Sequence, residues 1–123
     1  MKDPTAVSDS DGEWFELYNT GDEPVDLNNW TISDEGADSH VIYRSDGIII
    51  EPGSHFVMGR NSDIDTNGGV EVDFEYSSFS LANGDDEIIL MTGGQVIDQV
   101  FYLDGSGWPD KAGESLSLSP DFY

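Results

Sequence analysis

Two acidic stretches have a spacing that could gather a divalent cation. The first, DIDTNG, sets Asp63, Asp65 and Asn67 at alternate positions ahead of Gly68. It fits the start of a calcium loop, in which alternate oxygens converge on one ion and glycine permits a sharp turn. The twelfth position of such a loop should carry a bidentate glutamate, but here it is Phe74, so the full motif fails. Asp73 or Glu75 could substitute only along a different backbone path. The second stretch, SDSDGE, offers Asp9, Asp11 and Glu13. With 26 acidic residues in a chain of 123, close carboxylates also arise by chance. Each cluster therefore also reads as a solvated loop or an ordinary turn.

Other chemistry is thinner. His40 and His55 fall at predicted strand starts, and no partner converges on either for metal or acid–base work. There is no Gly-x-Ser-x-Gly elbow. The absence of cysteine removes thiol nucleophiles, thiolate zinc sites and disulfides. The run NGDDE could supply a carboxylate dyad for glycoside cleavage, but that reaction needs a cleft that a small sandwich seldom forms. Trp14 and Trp108 could stack on a sugar or meet a partner domain, or plug a loop. No enzyme is expected, and no cofactor beyond the calcium that the two acidic clusters leave open.

The charge excludes other partners. Lys and Arg total 4 against the 26 acids, for a net charge of −22. Nucleic acid and anionic membrane both repel such a surface, since binding either relies on Lys and Arg. The bland reading of the acidity is a surface kept soluble in a salty medium. No apolar run approaches the ~18 residues of a membrane span. MKDPTAVSDSDGE has no apolar stretch of the signal-peptide kind.

The elements that must position these residues are short extended runs between turns. EWFELY (Glu13–Tyr18) alternates Phe15 and Leu17 with Trp14, Glu16 and Tyr18. VDL, WTIS, HVIY, IIIE and HFVMG follow, separated by Gly, Pro, Asn and Asp. VEVDFE alternates most cleanly, with Val70, Val72 and Phe74 on one face. EIILM and VIDQVFY flank Gly93-Gly94, a tight-hairpin signal. The phase slips between Ile97 and Val100, as at a β-bulge. SLSL (Ser115–Leu118) closes the series with both leucines on one face. No window carries a helical apolar stripe. In SFSLANGDDE, Phe79 and Leu81 are expected in the core, Asn83-Gly84 in a turn with positive φ, and Asp85 and Asp86 as acceptors of backbone N–H groups. Many short strands at this spacing predict an antiparallel β-sandwich or barrel in one domain.

Five stretches in order resemble the lamin-tail domain: EWFELYNTGDEPVDLNNWTISD, EPGSHFVM, SFSLANGDDEIIL, VIDQVFY and GWPDKAGESLSLS. The resemblance implies an all-β, immunoglobulin-like antiparallel β-sandwich over residues 1–123, with Trp30 in its core. Phe15, Leu17, Trp30, Val72 and Leu90 are expected to hold the two layers together. Family members usually begin with a strand ahead of the MKDP loop. Its absence here suggests a domain cut from a longer protein, with an open sheet edge that a homodimer or swapped element would cover. The resemblance further implies a non-catalytic binding or anchoring module of a secreted or cell-surface protein, whose partner is a protein or a surface polymer. Two alternatives stand beside it: a calcium-dependent carbohydrate or surface binder, and a structural spacer.

Overall fold

Most of the alternating runs become strands, and the turns between them decide which strands meet. A computed structural model describes residues 1–103, 107, 109 and 111–119. A single helical turn, α1 (Asp9–Gly12), precedes β1 (Trp14–Tyr18), β2 (Val25–Asp26), β3 (Thr31–Ser33), β4 (Ser39–Val41), β5 (Ile49–Ile50), β6 (His55–Gly59), β7 (Phe74–Glu75), β8 (Asp86–Thr92) and β9 (Gln95–Tyr102). They form sheets in the orders β1-β6-β7, β2-β5 and β4-β3-β8-β9. The expected all-β, immunoglobulin-like architecture is present. Within it one strand pair, β6 with β7, runs parallel.

The Gly93-Gly94 hairpin forms as its sequence predicts. Both glycines take positive φ, at 56° and 78°, the conformation that two-residue hairpin loops favour. The predicted bulge is also there. Leu90 pairs with Asp98 and Met91 with Val96, which leaves Ile97 as the extra residue.

Four expectations need correction. VEVDFE turns its alternate residues inward as read, half-burying Val70, Val72 and Phe74, yet only Phe74 and Glu75 pair as a strand. Further back, the Asp73 carboxylate takes the Val57 N–H at 2.8 Å, a bond that a strand carbonyl would otherwise accept. SLSL forms no strand: Ser115–Ser119 is exposed and irregular. The Asn83-Gly84 turn has no positive φ, which falls instead on Ser78 at 56°. Asp9–Gly12 is a helical turn where a loop was expected, because one turn is too short to leave a periodic pattern.

The core lies between the sheets around Leu27, Ile32, Ile42, Ile48, Met58, Tyr76 and Phe79, all nearly inaccessible. Phe15, Tyr76 and Phe79 form an aromatic triangle with centroids 5.6–6.3 Å apart. Of the five residues expected to hold the layers, Phe15 and Leu90 are buried, whereas Leu17 and Trp30 pack against the core half-exposed. Val72 is also half-buried and lies over Gly59, where an added Cβ would come within 2.7 Å of it.

Candidate functional site: an open sheet edge beside a half-covered groove

The two acidic clusters turn to separate partners. In the first, the Asp63 carboxylate accepts the N–H of Asp65 at 3.1 Å, a local turn bond. Asn67 is buried, and its amide is fully engaged. It donates to the carbonyls of Asn61 and Val70 at 3.0 and 2.8 Å, and it accepts the N–H groups of Gly69 and Val70 at 3.0 and 2.9 Å. Asn67 thus acts as the organiser of its loop.

In the second cluster, α1 spreads the three carboxylates apart. Asp9 accepts from Asn83 Nδ2 at 2.8 Å, and Asp11 accepts from Ser8 Oγ at 2.7 Å. Glu13 turns inward until only 3% of it is exposed. Its Oε2 meets Arg60 Nη1 at 3.3 Å and the Leu81 N–H at 3.3 Å. Burial pushes its carboxyl above the usual range, against the pull of those two donors. Among the described residues, no group of three or more His, Cys, Asp or Glu side chains is placed to hold a metal ion.

The histidines and tryptophans also take structural places. His40 Nδ1 accepts the Ser77 N–H at 3.2 Å, and its ring meets Phe74 edge-on. His55 stacks on Tyr18 at 4.5 Å, with Nε2 3.8 Å from Glu16. Trp14 is half-buried in a cavity of ≈ 200 Å³ shared with Pro4, Val7 and Asn67. Trp108 lies outside the described residues. The NGDDE stretch is occupied at Asp86, which accepts from Ala82 N, from its neighbour's Glu87 N–H and from the Tyr102 hydroxyl.

Among the described residues, no strand pairs with the outer edge of β9. At the two ends of β3, the Asp34 N–H donates to the Asp38 carbonyl and the Trp30 carbonyl accepts the Ile42 N–H, both toward β4. Because peptide groups alternate across an antiparallel ladder, Ser33 then faces β8, and Ile88 and Leu90 face β9. Val100 and Tyr102 therefore bond to β8, while the peptide groups of Gln99 and Phe101 point away from the sheet. The Gln99 N–H is covered by the Asp98 carboxylate at 2.8 Å. Around this edge, large apolar side chains are exposed: Val96 and Ile97 at 50% and Phe101 at 40%.

A groove of ≈ 1140 Å³ runs from β9 to the facing strand β1; Leu17, Val25, Trp30, Ile88 and Leu90 line it, and so do Lys111 and Glu114–Ser119 of the chain's own tail. Asp98 pairs with Leu90, so it shares the groove-side face of its strand, an unusual place for a charge. On the far lip, Glu16 pairs with Val57, whose peptide group bonds instead to Asp73, so the Glu16 peptide also points outward. The sequence identified the β9 run and its slip in phase but did not single out Asp98. The signal was an aspartate at an apolar parity immediately after a bulge.

Layered sheets of short strands around a single core define an immunoglobulin-like module. Residues 1–104 match the Lamin Tail Domain family, and the chain belongs to that family. Its members are immunoglobulin-like modules and are generally non-catalytic. The stretch GWPDKAGESLSLS lies beyond the matched residues. No curated protein matches the chain. No described helix is long and apolar enough to cross a membrane.

Proposed function

We propose that the chain is a binding or anchoring module of a larger secreted or cell-surface protein, holding its parent to a partner protein or surface polymer. The observation that carries this reading is the outer edge of β9, where outward peptide groups lie among exposed Val96, Ile97 and Phe101. Strand addition at such an edge supplies main-chain hydrogen bonds for affinity and side-chain pockets for specificity. The acidic surface suits a protein kept soluble outside the cell and disfavours nucleic acid. Fold alone does not assign a partner, so the edge carries the argument.

The test is a pelleting assay of the whole chain with cell envelopes of the source organism, run in calcium and in chelator. Saturable, calcium-independent binding supports the reading. Saturable binding only in calcium, with a melting temperature raised by the ion, supports the calcium-dependent surface binder instead. Absence of saturable binding leaves a structural spacer.

A further inference from the structure

We propose that Glu114–Ser119 is a releasable strap over the groove between β9 and β1, held at Gly113, and that a partner entering the groove must displace it. The competition with a partner rests on the binding reading above; the strap does not.

Three observations converge on the strap. Lys111 and Glu114–Ser119 line the groove together with Leu17, Val25, Trp30 and Ile88. The segment brings two leucines there, Leu116 and Leu118, each 40% exposed. Partial burial holds them, and no strand pairing fixes them among the described residues. The family match ends at residue 104, so the segment that covers the groove lies beyond the matched module.

The third observation is the anchor. Lys111–Glu114 is a turn, closed by the Glu114 N–H on the Lys111 carbonyl at 3.2 Å and by an ion pair between the same two side chains. Inside it the Gly113 N–H donates to the Asp3 carbonyl at 2.7 Å, which ties the turn to the N-terminal segment. Gly113 has a φ of 78°, a conformation that other residues rarely adopt. A Cβ there would lie 2.6 Å from Thr5 Oγ1. The anchor therefore requires glycine both for its backbone and for its close approach to Thr5.

The two parts divide the work. Leu116 and Leu118 withdraw only part of their surface from water, so their own hold on the groove is weak. The tied turn raises their effective concentration at the groove without adding a contact there. Release uncovers Leu17 and Trp30, which a partner's apolar side chains would then cover. The partner's apparent affinity scales with the fraction of chains whose strap is away.

The test uses the whole chain and side-chain and amide NMR. In the wild type, nuclear Overhauser contacts should join the Leu116 or Leu118 methyl groups to Leu17 or Trp30. Gly113→Val should abolish them, shift the methyl resonances of Leu17, Val25 and Ile88, and increase binding of the apolar dye ANS, while the amides of β3 and β6 keep their wild-type positions. Leu116→Ser combined with Leu118→Ser should shift the same groove resonances with the anchor intact, and it decides the matter if Gly113→Val does not fold. In the envelope assay, the released chains should bind at least about tenfold more tightly than the wild type. The strap is overturned if the wild-type contacts are absent, or if the leucine variant leaves the groove resonances in place. The role of Gly113 is overturned if folded Gly113→Val keeps the contacts. Equal envelope affinity in all the chains overturns the competition. Absence of envelope binding by every chain sinks the binding reading, and the competition with it, while the NMR result still judges the strap.

Discussion

The Glu13 carboxylate lies 3.3 Å from the Arg60 guanidinium in a position where almost none of the glutamate meets water. Arg60 also donates its backbone N–H to the Glu13 carbonyl at 3.1 Å, so the two residues are joined through both main chain and side chain just beyond the β1–β6 ladder. Removing one member of such a pair leaves an uncompensated buried charge. Arg60→Met should cost about 2–3 kcal/mol at neutral pH, toward the lower end because the arginine is itself partly exposed. Urea denaturation at pH 7 measures it, and a loss below about 0.5 kcal/mol would mean that the pair is only a surface contact.

Glu13 also predicts a dependence on pH. Its carboxyl is raised in the fold, first by burial, so the native state holds the proton more tightly than the unfolded chain. Stability from this group is therefore fully present below its ordinary value of 4.5 and is lost as pH rises through the folded value. Glu13→Gln removes the titration. As pH falls from 7 toward 4.5, the wild type should gain stability relative to Glu13→Gln, and the comparison cancels the relief of overall charge repulsion. A difference that stays constant across pH sinks the assignment.

Gly59 should tolerate no side chain while Val72 keeps its own. An added Cβ would sit 2.7 Å from a Val72 methyl carbon, so Gly59→Ala should cost about 1–3 kcal/mol through overpacking. Val72→Ala in the same chain should recover most of the loss, a coupling that a double-mutant cycle measures. Simple additivity of the two changes would show that the contact is not the cause.

Asn67 should matter as a turn organiser, with or without calcium. Its amide makes four hydrogen bonds within one loop while buried, so Asn67→Ala should cost about 2 kcal/mol or more. Thermal melts in calcium and in chelator should shift equally for both proteins. A melting temperature raised by calcium in the wild type and not in Asp63→Ala would instead make this loop an ion site.

The sequence disclosed what depends on short-range pattern. Alternation located β1 and β3, extended runs between turn residues located β6, β8 and β9, the Gly-Gly pair marked its hairpin, and the slip after Ile97 marked the bulge. Phe79 and Leu81 read as core residues and are buried. What escaped depends on contacts distant in sequence. Asp73 reaches Val57 and shortens a strand that alternation had extended. Glu13 looked like one of three loop acids until the fold brought Arg60 and Leu81 to it, 47 and 68 residues away along the chain. Trp30 alternates with Ile32 as a core residue should, yet it lines the groove half-exposed because the space beside it is only partly filled. The candidate site was legible as a strand, but its outward edge depends on β9 pairing only with β8 among the described residues.

Hydrogen–deuterium exchange, resolved residue by residue in the free chain, tests the open edge most directly. Along β9, the amides of Val100 and Tyr102 should be protected nearly to the stability of the fold, because they bond to β8. The Phe101 amide between them should exchange at the rate of an exposed loop and become protected only when a strand is added. Protection of Phe101 equal to that of Val100 in the free, monomeric chain would mean that the edge is already occupied, and would contradict the account.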